Sequence, residues 1–334
     1  LVENLGVGQR QRVEILKVLY RGANILIFDE PTAVLVPQEV DDLFGALHGL
    51  REKGMSIIFI SHKLDEVLRV ADEVTVIRAG ETVAEVKAKD VTAQKLAELM
   101  VGSELPKPET KGNTKRDNVV LELQGVTIAS KGARNLLTDI TFNLHAGEVI
   151  GIAGVEGNGQ SELTEAILGL LEYEGCIDFD GECIDEKSVA ERRDNGVGFI
   201  PEDRHRQALM LGSPLWENRI LGYQRTKPIF NGFVLDKKAT IEDTKIIMQE
   251  FDVRAPGPNT LATALSGGNQ QKFIVGREMV HAPKLLVASH PTRGVDVGAQ
   301  GAIWEELRKA REKGMAIVRS EEHTSELQSH HDLV

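Results

Sequence analysis

The chain alternates short apolar runs with stretches in which apolar residues recur every three or four positions, the pattern of strands and helices taking turns. "ILIF" (residues 25–28) and "LLVA" (285–288) are bounded runs of strand length, and each leads into Pro-Thr. In "PQEVDDLFGALHGLREKG", Val40, Leu43, Leu47 and Leu50 recur at helical spacing, and Trp304 and Leu307 fall on a matching helix; both sets read as core stripes. Ile57–Ile60 is a further apolar strand ended by His62, followed by a helix and two strands. "EVIGIAGVEGNGQSELTEAILGLL" predicts a strand over Val149–Ala153, a Gly-rich loop, and a helix with Leu163, Ile167 and Leu170 on its apolar face. In "GCIDFDGECID", Asp180-Gly181 reads as a tight hairpin turn between two short strands.

The two Pro-Thr segments belong to an internal repeat. A shift of 260 positions lays Leu5-Gly6-Val7-Gly8 on Leu265-Ser266-Gly267-Gly268, "ILIFDEPT" on "LLVASHPT", and Arg51-Glu52-Lys53-Gly54-Met55 on the identical Arg311-Glu312-Lys313-Gly314-Met315, without gaps. The chain thus reads as two copies of one domain. About 146 residues (Val119–Ala264) precede the aligned segment in the second copy and only four in the first, so the front of the first copy is expected to be missing. The expected division is residues 1–103 for the first copy, 104–118 for a polar linker with two prolines, and 119–318 for the second copy. The second copy switches at Arg319 to "RSEEHTSELQSHHDLV", and a buried strand centred on Ile317 is not expected to continue into Arg-Ser-Glu-Glu. "RSEEHTSELQS" resembles a common short-read sequencing adapter translated in one frame, so residues 319–334 are set aside as non-native; His323, His330 and His331 suggest a metal cluster only if that tail is genuine.

Composition narrows the function classes. The 334 residues suffice for about two domains, with 41% hydrophobic residues to supply a core. A net charge of −12 argues against general nucleic-acid binding. No apolar run approaches the length of a membrane span, and no signal peptide is visible. Cys176 and Cys183 lack metal-type spacing and read as buried structural cysteines.

Three motifs carry chemistry. The loop Gly154-Val155-Glu156-Gly157-Asn158-Gly159-Gln160-Ser161 fits the phosphate-loop pattern G-x-x-x-x-G-K-[ST] except that Gln160 stands where lysine belongs. Its glycines let backbone N–H groups wrap phosphates, Ser161 can ligate Mg²⁺, and Gln160 donates a hydrogen bond without a charge. "LSGGNQQKFIVGREM" places Ser266, Gly267 and Gly268 at a helix N-terminus, a second anion-binding arrangement. In the first copy, Asp29 ends a strand, where it can hold Mg²⁺. Glu30 is placed to deprotonate an attacking water, and His62 can contact the γ-phosphate or that water.

Together, "VENLGVGQRQRVEILKVLYRGANILIFDEPTAVLVPQE", "GVEGNGQSEL", "IPEDRHR", "LSGGNQQKFIVGREM" and "PTRGVDVGA" resemble the nucleotide-binding domains of ABC ATPases. The nearest group is the tandem-domain ATP-binding subunits of bacterial simple-sugar and nucleoside importers, with "GVEGNGQSEL" and "PEDRHR" favouring the nucleoside branch. The resemblance implies two P-loop ABC domains, each an α/β core with a helical subdomain. They would form an ATP sandwich in which the Ser-Gly-Gly turn of one domain closes the phosphate loop of the other. Site one would join the missing first phosphate loop, Asp29, Glu30 and His62 to Ser266, Gly267 and Gly268. Site two would join the Gly154–Ser161 loop, Glu202, Ser289 and His290 to Gly6, Val7 and Gly8. Every part of site two is altered: lysine to Gln160, Asp to Ser289, Glu to His290, Ser-Gly-Gly to Gly-Val-Gly. Loss of the base alone costs about 10²–10⁴-fold in rate, so one hydrolytic and one degenerate site are expected. His290 and "LGVG" depart from the group's usual glutamine and "LSVG". The implied protein is a peripheral subunit at the cytoplasmic face of the plasma membrane. It uses ATP and Mg²⁺, docks on transmembrane permease subunits and works with an extracytoplasmic solute-binding protein. The alternative is a soluble tandem ABC protein acting on ribosomes, against which the short linker and the degenerate site count. This fragment alone is expected to bind ATP weakly at Gly154–Ser161 and to hydrolyse essentially none.

Overall fold

The computed structural model describes residues 13–15, 17, 18, 20, 23–32, 35, 37–61, 63–78, 80–102, 114–129, 136–154, 158–295 and 297–321. The chain divides into two compact units, residues 1–106 with 296–298, and residues 107–295 with 299–334.

In the first unit, β1 (Ile25–Asp29) pairs in parallel with β2 (Ser56–Ile60), and α1 (Pro37–Glu52) connects them. The predicted stripe of α1 is buried at Val40, Leu43 and Leu47 and packs with Phe44 on Leu26 and Phe28 of β1. Phe44 also meets Phe59 of β2 edge-on, with centroids 5.9 Å apart. The opposite face of the pair is open, with Ile25, Ile27, Ile58 and Ile60 all exposed. The predicted helix and two strands follow as α2 (Leu64–Val70), β3 (Glu73–Arg78) and β4 (Glu81–Lys87). α3 (Ala93–Val101) is capped by Thr92, whose hydroxyl accepts from Lys95 N–H, and ends at a left-handed Gly102.

The second unit has two four-stranded sheets. β5 (Val119–Ile128), β6 (Leu137–His145), β8 (Glu174–Phe179) and β9 (Glu182–Cys183) form an antiparallel sheet ordered β6-β5-β8-β9. β7 (Val149–Ala153), β10 (Val197–Ile200), β11 (Leu285–Ser289) and β12 (Ala316–Glu321) form a parallel sheet ordered β10-β11-β12-β7. Side chains alternate across this sheet into two cores. Leu285, Val287, Ala316 and Val318 face the antiparallel sheet and α4 (Gln160–Leu168). Leu286, Ala288 and Ile317 face α7 (Gly267–Met279) and α8 (Val297–Lys313); α5 (Val189–Asp194) and α6 (Lys237–Glu250) lie between β9 and α7 along the chain. All five residues of β11 are buried as a result, the signature of a strand covered on both faces.

The 260-residue repeat reappears as backbone geometry. β1 pairs with β2 from Ile25↔Ser56 to Asp29↔Ile60, and β11 with β12 from Leu285↔Ala316 to Ser289↔Ser320, the same register residue for residue. Glu30 and His290 both turn left-handed after their strands (φ 46 and 47). Each donates its N–H to a carbonyl at the end of the neighbouring strand, Glu30 to Ile60 at 2.9 Å and His290 to Ser320 at 3.1 Å.

Several expectations are corrected. β12 does not stop at Val318: it runs to Glu321, with Arg319 at 2% and Ser320 at 4% exposure. The Arg319 guanidinium lies over the Trp304 ring, 3.9 Å from its centroid, and this cation–π contact gives the buried charge a partner. The remainder of the 319–334 segment, 322–334, lies outside the described residues, as do most of the predicted linker and Gly6, Val7 and Gly8. Leu170 is exposed rather than on the apolar face of α4, because Gly169 turns left-handed and ends the helix at Leu168. The Asp180-Gly181 hairpin forms as predicted, with both residues at positive φ. The cysteines are not core residues: the hairpin register sends Ile177 and Phe179 inward, leaving Cys176 half-buried and Cys183 exposed.

Arg192 fixes α4. Its guanidinium is 2% exposed and donates to the carbonyls of Ala166 and Ile167 (2.9 Å each), Ile184 (2.7 Å) and Lys187 (2.9 Å). The first two belong to the last turn of α4, where helical carbonyls lack intrahelical partners. Arg192→Met, which keeps the apolar stem, is expected to cost about 3 kcal/mol by stranding these acceptors. Urea unfolding should show a lower midpoint at unchanged slope.

Candidate phosphate-binding site

All four parallel strands point the same way, so their carboxyl ends share one edge, where α/β sheets place ligands. That edge carries Gly154 after β7, Glu202 shortly after β10, and Ser289 and His290 at the end of β11. β12 lies between β7 and β11, so the loop and the Ser289-His290 pair are held in register through one intervening strand.

The loop is built around Gly159. Its φ of 106 is left-handed, and a Cβ there would sit 2.3 Å from Leu137 Cδ2, so only glycine fits. Gly159 is the N-cap of α4, and its carbonyl accepts from Leu163 N–H at 2.9 Å. The amides of residues 160–162 therefore precede the helical ladder and stay available to an anion at the positive end of the helix. Asn158 and Ser161 are exposed and Gln160 is half-buried. The Gln160 amide nitrogen lies 2.6 Å from where a Cβ on Gly154 would stand, so this side chain folds back across the start of the loop and offers its N–H there. Gly157 lies outside the described residues.

These donors fit a polyphosphate. The carboxylate set of this unit fits Mg²⁺ poorly. Ser289 (7% exposed) and His290 (9%) hold in this unit the strand-end positions that Asp29 and Glu30 hold in the first. The Glu202 carboxylate is ion-paired with the Arg293 guanidinium. In the first unit, Asp29 is exposed at the end of β1 and Glu30 follows half-buried in the left-handed turn. Behind that turn the buried Thr32 donates to Glu66 (Oγ1 to Oε2, 2.5 Å). His62 lies outside the described residues.

Ser266 caps α7 as predicted: its exposed hydroxyl accepts from the Asn269 backbone N–H (3.4 Å) and side-chain amide (2.9 Å). Gly268 is buried, and a Cβ on Gly267 would meet Arg204 at 2.9 Å and the Gly294 carbonyl at 3.1 Å. Among the described residues no hydrogen bond joins this turn to the Gly154–Ser161 loop within the unit.

The residue that sequence reasoning missed is Arg204. It donates to the carbonyls of Arg293 (2.7 Å) and Gly294 (3.3 Å) and to Gln270 Oε1 (3.3 Å), while His205 Nε2 contacts the same Gln270 oxygen at 2.9 Å. Burial holds its guanidinium below the usual arginine value against the opposing pull of Asp203. One side chain thereby ties the segment after β10 to the segment after β11 and to the first turn of α7. No local signal announces this, because the carbonyls lie 89 and 90 residues away.

The ABC transporter family model matches residues 137–293. A solved nucleotide-free ATP-binding cassette from an ABC transporter shares the fold, with a TM-score of 0.55 at 20% identity over 64% of this chain and 85% of that one. Residues 137–293 thus match the ABC transporter model, and the second unit shares the fold of that ATP-binding cassette. More particularly, the chain is similar to the nucleoside import ATP-binding protein NupA of Lactococcus lactis subsp. cremoris, 43% identical over 95% of this chain and 63% of that protein. It is also 43% identical to the glucose import ATP-binding protein TsgD13 of Haloferax volcanii, over 98% of this chain and 60% of that protein. The chain spans less than two thirds of the length of these relatives. No helix among the described residues is long and apolar enough to cross a membrane.

Gly159→Ala is expected to weaken nucleotide binding by at least about tenfold and to cost about 3 kcal/mol, combining backbone strain with the Leu137 overlap. Gly181→Ala is the control: it shares a positive φ of 81 but has open space, and should cost about 1 kcal/mol with binding unchanged. Titration with a fluorescent ATP analogue and thermal melts check both.

Proposed function

We propose that the chain is part of a tandem-domain ATP-binding subunit that powers import of a nucleoside or simple sugar, with one hydrolytic site and one degenerate site. The observation that carries this reading is the repeated strand end. The two copies share register, left-handed turn and cross-strand hydrogen bond, and differ in what that turn presents: Asp29-Glu30 in one, Ser289-His290 in the other. An acid pair at such a position holds a metal and orients water; a serine and a histidine supply neither carboxylate. The names of the similar proteins support import over the ribosome-acting alternative.

In this reading ATP supplies the phosphoanhydride whose cleavage drives the transport cycle. Gln160 and the amides of residues 160–162 hold its phosphates, and Ser161 offers a hydroxyl to Mg²⁺. Without a lysine the second unit binds the phosphates by hydrogen bonds and the helix dipole alone, so affinity is weakened rather than abolished. Asp29 is the metal acid and Glu30 the base of the hydrolytic site, with His62 contacting the γ-phosphate or the water. The subunit sits peripherally on the cytoplasmic face of the membrane, against permease subunits fed by a solute-binding protein.

The test is nucleotide binding and turnover by the chain itself. ATP should bind weakly and almost independently of Mg²⁺. Gln160→Lys should tighten binding by roughly tenfold, the worth of one charge-assisted contact. Ser289→Asp should confer Mg²⁺ dependence of similar size. Absence of ATP binding in both wild type and Gln160→Lys would sink the reading. Robust turnover by this chain that Glu30→Gln abolishes would show instead that these residues hydrolyse ATP unaided.

A further inference from the structure

The only two cysteines of the chain meet at a place that nucleotide chemistry does not use. Cys176 and Asp178 are two residues apart on β8 and therefore share a face. The tight turn at Asp180-Gly181 sets the register of the hairpin and puts Cys183 directly opposite Asp178. The Sγ atoms of Cys176 and Cys183 and a carboxylate oxygen of Asp178 consequently lie within 4.8 Å of one another, on the outward face of the sheet edge. Cys176 Sγ already donates to Asp178 Oδ1 at 3.6 Å.

We propose that Cys176, Asp178 and Cys183 form a binding site for a thiophilic divalent cation of the zinc class, with water as the fourth ligand. Two sulfurs and one carboxylate are a borderline-soft donor set; magnesium and calcium take oxygen ligands instead. Metal–sulfur bonds of about 2.3 Å in a tetrahedral site put ligand atoms about 3.5–4 Å apart, so the trio closes on an ion with small rotamer changes and no backbone shift. The surroundings are acidic, with Asp180, Glu182 and Asp185 on the same hairpin. The nearby cations are committed elsewhere, Lys187 to Glu182 at 2.6 Å and Lys284 to Asp180. Burial, the charges of Asp185 and Asp178 and the neighbouring Cys183 push the Cys176 thiol up to about 12. Binding then releases both thiol protons to solvent and forms two metal–sulfur bonds. The bound ion clips the two-residue strand β9 to β8 at the end of the antiparallel sheet. Cys183 is exposed, which leaves the ion an open approach.

Cobalt(II), added to the reduced full chain without chelator, is the probe. One equivalent should give thiolate-to-cobalt charge-transfer absorption and tetrahedral d–d bands, both removed by stoichiometric zinc. Because no other cysteine exists, these bands report this site alone, and histidines elsewhere cannot produce the sulfur transition. Cys183→Ser should abolish the bands without altering far-ultraviolet circular dichroism, since the side chain is exposed. Asp178→Asn should keep the sulfur bands and weaken cobalt binding at least tenfold. The proposal is overturned if the reduced wild-type chain gives no sulfur bands at excess cobalt, or if Cys183→Ser gives them at full strength. It is also overturned if Asp178→Asn binds as tightly as wild type. None of these readouts involves nucleotide, so the result stands apart from the transport reading.

Discussion

The placement of β12 between β11 and β7 is the constraint on which the second unit depends. This strand alone connects the phosphate loop after β7 to the Ser289-His290 turn after β11, and its two faces feed two separate cores. A carbonyl near its end also matters: Ser320 accepts the His290 N–H that closes the left-handed turn. A strand in the middle of a parallel sheet leaves no room for solvated charge, yet this one carries Arg319. The fold accommodates it by placing the ring of Trp304, from α8, against the guanidinium.

Elements whose cause is local were legible in the sequence. β7 falls on Val149–Ala153 as its apolar run predicts, the glycine loop and α4 follow it, and Asp180-Gly181 makes its hairpin. What escaped depends on partners distant in the chain. The charged end of β12 looked incompatible with burial because a helix from the preceding connection supplies its aromatic cover. The Arg293 partner of Glu202 had no local signal because it lies far along the sequence. Leu170 matched the helical period, but Gly169 ended the helix one residue earlier. The two cysteines lacked a metal-type spacing because a hairpin register, not a sequence interval, brings them together.

Arginines do much of the long-range fastening around the site. Arg192 caps the far end of α4, and Arg204 binds the segments after β10 and β11 to the start of α7. Arg193 and Arg277 pair with the fully buried Glu278, which also accepts from Phe199 N–H and Tyr223 Oη–H. Burial by itself would raise the Glu278 carboxyl, but the two guanidinium groups and the donated hydrogen bonds hold it below the usual glutamate value. The planar, multiply donating guanidinium suits this task, because one side chain can satisfy several carbonyls that have left their regular ladders.

The left-handed turn shared by Glu30 and His290 has an evolutionary corollary. Its shape rests on a main-chain hydrogen bond and a strand register, neither of which involves the side chain at the turn. Selection can therefore exchange the chemistry displayed at that corner without reshaping the scaffold that displays it. The same architecture can therefore carry different chemistry at its corner.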